Sequence, residues 1–215
     1  IGIHHVYKRL NMMDANQYRE FGKQQGISIL DRGANTNFQK EIERTGFLQQ
    51  DHLAFQGGTE QSNYRVSLGV MQDQSVIKRI QDHTIMTNMN MMQMMFDGLL
   101  RIDIGMFGST GKEQNIFDDQ KLFYSAASFN PTFPNHRNSE GTWDGYALAS
   151  QICNPLALLE EKDHNETSHI STHAKFTFQL TKELKFTLFG AYTYNNKNIM
   201  QYLPTTVWNK GQAYS

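Results

Sequence analysis

The chain has 215 residues, 39% of them hydrophobic and 19% charged, enough for one or two domains with a sizeable core. A formal net charge of -1 and a pI near 6.8 give nucleic acid no electrostatic hold, so none is expected as a partner. Mean hydropathy is -0.58 and no apolar run nears the roughly 20 residues of a membrane helix, which excludes helical spans but not a barrel, whose lipid-facing and lumen-facing residues alternate.

Ile1 to Tyr7 reads as a short strand or the tail of one. Opening on Ile without a signal peptide, the sequence reads as an internal piece of a longer protein. Asp14 and Gln17 have capping-box spacing and predict a helix over about Ala15 to Gln24, stopped at Gly26. A polar loop through Asp31, Gly33 and Asn35 leads to a second short helix, Phe38 to Arg44, with Phe38 and Ile42 as its apolar contacts. Short helices and loop thus occupy 15–44.

Strands are expected over 50–108. His52 to Gln56 and Ser62 to Met71 flank the turn residues Gly57-Gly58-Thr59-Glu60. Asp82 to Met95 and Leu99 to Gly108 flank Asp97-Gly98, the strongest hairpin signal in the chain. A further hairpin over 169–196 pairs Ile170 to Leu180 with Leu184 to Asn195 across Thr181-Lys182-Glu183. Alternation marks all of them. Tyr64, Val66, Leu68 and Val70 alternate with Arg65, Ser67 and Gly69, and Leu100, Ile102, Ile104 and Met106 with Arg101, Asp103 and Gly105. Ala174, Phe176 and Phe178 alternate with Lys175 and Thr177, and Phe186 and Leu188 with Lys185 and Thr187. A period of two gives each strand one apolar and one polar face.

Tight turns fall at one end of these hairpins. At the other lie Gln72 to Gln81 and a segment over 109–168, which holds a helix (Asp118 to Ser128), Phe129-Asn-Pro-Thr-Phe-Pro134, and a second helical piece after Asn154-Pro155. Short turns opposite long loops are the habit of outer-membrane barrels. The strands also reach the roughly 9–11 residues that cross a bilayer when tilted.

Several motifs, in order, resemble the SusC/RagA family of TonB-linked outer-membrane transporters. They are Met13-Asp-Ala-Asn-Gln-Tyr18, Asn35-Thr-Asn-Phe-Gln-Lys-Glu-Ile42, His52-Leu-Ala-Phe-Gln-Gly-Gly58, Asn63-Tyr-Arg-Val-Ser-Leu-Gly69, Phe129 to Pro134, and Asn154-Pro-Leu-Ala-Leu-Leu159. The chain departs from the family at Asp73 to Lys78, where it is shortened, and in the strand carrying Met86, Met89, Met91, Met92, Met94 and Met95. Methionine suits either a core or a lipid face, so the two faces of that strand stay unassigned. The resemblance implies a mainly β fold: antiparallel meander hairpins forming part of a transmembrane β-barrel of about 22 strands with a plugged lumen. The helices would lie in the N-terminal region and in a long extracellular loop at 109–168. It also implies import of glycans or peptides across a bacterial outer membrane, contact with membrane lipid, a SusD-like lipoprotein lid, and TonB acting through N-terminal parts. The family's plug domain and TonB-contacting segment are absent from this stretch.

No cofactor is expected, and no metal. His169 and His173 share a strand face but sit about 13 Å apart at strand rise, and His4 and His5 have no completing ligands. Asp103 with Glu113, or Asp118 with Asp119, are carboxylates without a fixed spatial relation, and no catalytic motif accompanies them, so enzymatic activity is not expected. Trp143 and Tyr146, with Phe123, Tyr124, Phe129 and Phe133, are candidate contacts to a ligand or lid through ring stacking. The alternative is that they pack the long loop onto itself. Tyr192, Tyr194 and Tyr202 suit an interfacial girdle or an ordinary hairpin cluster. A rival to the barrel is a soluble β-sandwich carbohydrate-binding module, in which the same apolar faces pack sheet on sheet. A barrel fragment folded non-natively in isolation is a third.

Overall fold

The computed structural model describes residues 1–145, 152–202 and 204. Its strands are β1 (Gly2–His4), β2 (Gly46–Gly58), β3 (Ser62–Gln74), β4 (Gln81–Met95), β5 (Leu100–Asn115), β6 (Lys162–Gln179) and β7 (Lys185–Tyr202). All seven form one antiparallel meander in chain order, β1 to β7. A β-sandwich needs a second sheet, and none lies against this one among the described residues. Among the described residues no helix is long and apolar enough to cross a membrane.

The predicted hairpins are present, and their turns follow local chemistry. Between β4 and β5, Phe96, Asp97 and Gly98 all take positive φ (55°, 53° and 87°), and the Leu99 N–H closes the turn on the Phe96 carbonyl. Strands β5, β6 and β7 run several residues past the predicted limits, so the long loop narrows to 116–161. Beyond Gly108 and before Ile170 both faces are polar, so the alternation that marks a strand disappears while its backbone ladder continues, as in Lys112 opposite Glu166.

The helices are α1 (Ala15–Gln25), α2 (Phe38–Glu41), α3 (Asp119–Ser128) and α4 (Pro155–Leu158). Helix α1 has its capping box, with Gln17 N–H donating to Asp14 Oδ1 at 2.8 Å and Asp14 N–H to Gln17 Oε1 at 3.0 Å, and it stops at left-handed Gly26. Helix α2 ends earlier than predicted. Ile42 caps it, because its carbonyl accepts the Lys78 N–H at 2.9 Å and the chain bridges Glu43 to Ile77.

Every long connection lies at the same end of the sheet. Residues 5–45, 75–80, 116–145 and 152–161 join there into one cap, while the connections at 59–61, 96–99 and 180–184 close the other end. The hydrophobic core sits in this cap: Phe38 and Ile42 from the first connection, Ile77 from the second, and Ile116, Leu122, Phe129, Phe133, Leu156 and Leu158 from the third.

Candidate membrane-facing surface and loop-end cap

Residues directly opposite in an antiparallel ladder share a face, so the register assigns every strand position. One row runs Leu53, Leu68, Thr87, Gly108, Ile170, Tyr194; the next runs Phe55, Val66, Met89, Met106, Thr172, Tyr192. Rows nearer the tight turns add Tyr64, Met91, Ile104 and Ala174, then Ile102, Phe176 and Leu188, then Met95, Leu100, Phe178 and Phe186. Together these rows form an apolar belt, interrupted by Thr87, Thr172, Ser62 and Gln93. Val66, Leu68, Ile102, Ile104, Phe176, Phe178 and Leu188 all lie on it, while Arg65, Arg101, Lys175 and Lys185 lie on the opposite face.

Among the described residues nothing covers the belt. The buried strand residues among those described are Gly46, Gly69, Gly105, Gly111 and Asn165. Leu53 is 55% exposed, Leu68 47% and Leu188 57%. On β4 the belt runs from Ile85 to Met95, about 34 Å of strand at roughly 3.4 Å per residue. Tilted by roughly 40°, that is about 26 Å of height, close to the apolar band of a bilayer-spanning barrel. Aromatic rings mark both margins. Phe178 and Phe186 sit 6.1 Å apart at the turn end, and Tyr192 and Tyr194 lie toward the loop end. Tyr202 shares the face but lies beyond the belt, 5.9 Å from the Lys162 ammonium. Past Val70 and Ile85 the same face becomes polar, with Gln72, His83, Lys112, Glu166 and Asn198 in one row.

The opposite face is polar and its charges are sorted. Near the tight turns stand Arg65, Arg101, Lys175 and Lys185 with one acid, Asp103, which Arg101 grips at 2.7 Å and Lys175 approaches to 3.7 Å. Near the cap stand Asp73, Asp82, Glu113 and Asp163 with one base, Lys197. The methionine-rich strand divides between the faces: Met89, Met91 and Met95 join the belt, and Met86, Met92 and Met94 the polar side.

In the cap, residues about a hundred positions apart are stitched together. The Ala34 and Thr36 N–H groups donate to the carbonyls of Thr132 and Pro131, both at 2.9 Å, and Thr36 Oγ1 donates to the Phe133 carbonyl at 2.7 Å. Asn130 Nδ2 returns a bond to the Leu30 carbonyl at 2.7 Å. The stretches 35–42 and 129–134 therefore pack on each other, and 154–159 completes the core as α4, whose N-cap Asn154 accepts the Leu156 N–H. Two ionisable groups are displaced here. The Arg19 guanidinium and then the Gly33 N–H hold the Asp31 carboxylate down at about 2, with Arg19 at 2.7 and 2.9 Å. Burial pushes Glu161 up to about 7, against the pull of Lys121 and with a push from Asp118, and its Oε2 has no partner.

Of the predicted aromatic contacts, Phe129, Phe133 and Trp143 fall into or against this core. Phe129 and Phe133 are 9% and 4% exposed; their rings sit 5.2 Å apart, and Phe38 meets Phe129 edge-on at 5.0 Å. Gly145 packs so tightly on both that an added Cβ would come within 2.5 Å of Phe129 Cζ. Trp143 is half-buried against the same cluster, donates from Nε1 to Glu160 at 2.7 Å, and lies under the Arg137 guanidinium. Tyr146 lies outside the described residues. The expected contacts Phe123 and Tyr124 on α3 are exposed, at 47% and 54%, as are Tyr7, Phe21 and Phe117 elsewhere on the cap. Leu122, Ser125 and Ala126 mark the buried side of α3 and leave 123 and 124 outward. No cluster of three or more His, Cys, Asp and Glu suited to a metal occurs among the described residues.

The likeness is to TonB-dependent receptors. The chain is 23% identical over 95% of its length to TonB-dependent receptor P3 of Formosa agariphila, and 25% identical over 86% to TonB-dependent receptor SusC of Bacteroides thetaiotaomicron. It spans 21% of the length of each of these curated relatives. No protein-family model matches the sequence. These matches support kinship with TonB-dependent receptors broadly and with the SusC/RagA branch more weakly.

Proposed function

We propose that this chain is a wall segment of an outer-membrane, TonB-dependent transporter of the SusC/RagA kind, importing glycans or other large nutrients. The observation that carries the reading is the uncovered apolar belt, about one bilayer tall, on a sheet whose other face is charged. Hydrocarbon tails solvate such a belt without cost, whereas in water an apolar patch of this extent is a liability. The tight turns would face the periplasm and the cap the outside, as short turns and long loops do in such barrels. A SusD-like surface lipoprotein would then close over the cap end, where Trp143, Phe123 and Tyr124 offer rings for a lid or a sugar. TonB and a plug would act through parts of the protein outside this chain. The polar face would line the lumen and select by charge and fit, with no bond made or broken.

The test is Ile104→Arg in the outer-membrane protein that carries this chain. Ile104 is mid-belt, and a guanidinium at mid-bilayer costs about 2–4 kcal/mol. Heat-modifiable mobility and surface protease protection should both fall sharply. Assembly at the unaltered level overturns the lipid-facing assignment.

A further inference from the structure

The belt accounts for Met89, Met91 and Met95, but not for the methionines on the polar side of β4. There Met86 stands between Thr84 and Asn88 on its own strand, opposite Ser109 of β5 and diagonal to Phe107. The register sets His52, Gly69 and Met86 side by side across β2, β3 and β4. Gly69 leaves a bare stretch of wall, and both neighbours lean over it. Met86 Cε lies 3.6 Å and His52 Cδ2 3.8 Å from where a Gly69 Cβ would stand. Met71 is the next residue along β3 on the same face, paired between Gln50 and Thr84, and therefore diagonal to both. No hydrogen bond engages the His52 ring among the described residues, so both ring nitrogens remain open to a ligand.

We propose that His52, Met86 and Met71 form a binding site for a soft monovalent d10 ion, Cu(I) in the cell and Ag(I) as its redox-inert probe. Thioether sulfur selects such ions and imidazole suits copper, whereas hard cations require oxygen donors. The row through His52 and Met86 continues to Ser109, His169 and Asn195 and contains no carboxylate. Two or three donors suffice for a d10 monovalent ion, and the missing Cβ at Gly69 leaves the space between them. The site depends on the register of the polar face alone, so it stands or falls separately from membrane assembly.

The experiment is a chloride-free Ag(I) titration of the full chain in detergent micelles, followed by calorimetry and by the methionine methyl resonances. One equivalent should bind, with the Met86 and Met71 methyl signals moving first. Met86→Leu, which keeps the shape of the side chain, should weaken binding at least tenfold, and His52→Gln should act likewise. Met89→Leu, on the apolar belt, should change nothing. Cys153 is the competing soft ligand but is 1% exposed in the cap, so Cys153→Ser should also leave binding unchanged. Undiminished affinity in Met86→Leu, loss in Cys153→Ser instead, or simultaneous shifts of methionines on both faces overturns the site.

Discussion

Leucines in the cap and leucines in the sheet occupy opposite surroundings. Leu122 and Leu158 are fully buried, whereas Leu53 and Leu188 are 55% and 57% exposed. The cap is organised as a water-soluble protein is, with an apolar interior, capped helices and hydrogen-bonded crossings. The sheet is organised the other way, with its backbone satisfied by the ladder and its largest apolar side chains turned outward. Side-chain type is the same in both, so the difference is one of solvent. The cap carries its own apolar phase, and the sheet needs one supplied.

The largest expected effect follows from taking the cap's interior away. Leu158→Ala removes a fully buried side chain from α4 and should destabilise the cap by about 2–5 kcal/mol. Hydrogen exchange of the α3 amides would read this as a lower opening free energy. Leu188→Ala on the sheet should leave those amides within about 0.5 kcal/mol. Equal effects from the two changes would mean that sheet and cap share one core, and the contrast would collapse.

A second test acts through pH. Burial raises Glu161 to about 7 in the folded cap, while an unfolded glutamate releases its proton near 4.5. Between those values the folded state binds more protons, so cap stability is greatest below about 4.5 and is lost as pH rises through 7. The whole change is at most about 3 kcal/mol. Exchange of α3 amides between pH 5 and pH 8, corrected for intrinsic rates, should show it. Glu161→Gln should flatten the profile, whereas sheet amides should show no such window. A wild-type profile that is already flat removes the buried carboxyl from the account.

How much of this was legible in the sequence depended on how far apart the cause and the effect lie in the chain. Helix α1 was readable because Asp14 and Gln17 act within one turn. The belt was readable from alternation, but only where the two faces contrast; past Gly108 both sides are polar and the strands continued unseen. Met86 and Met89 fall on opposite faces, yet a run with methionine at both parities carries no phase until β3 and β5 fix the register. The cap was the least legible part. Phe129 and Phe133 read as rings on a long loop, and their burial depends on Thr36 reaching Phe133 across about a hundred residues. Ion pairs within the cap, such as Arg19 with Asp31, likewise follow from folding and are not signalled by spacing.

The smallest effect sharpens the boundary between the two regions. Asp14 caps α1 by accepting the Gln17 N–H, and the neighbouring Ala15 N–H donates to Asn35 Oδ1 at 3.1 Å, tying the helix start to the 30s loop. Asp14→Ala should cost about 1 kcal/mol, the usual worth of such a cap. Asp14→Asn, which keeps the acceptor oxygen, should recover most of it. Because α1 touches the cap and not the belt, the loss should appear as faster exchange in the first turn of α1, with β3 to β6 unchanged. If the strand amides also loosen, the N-terminal connection is part of what holds the sheet in register, and the cap is its clamp.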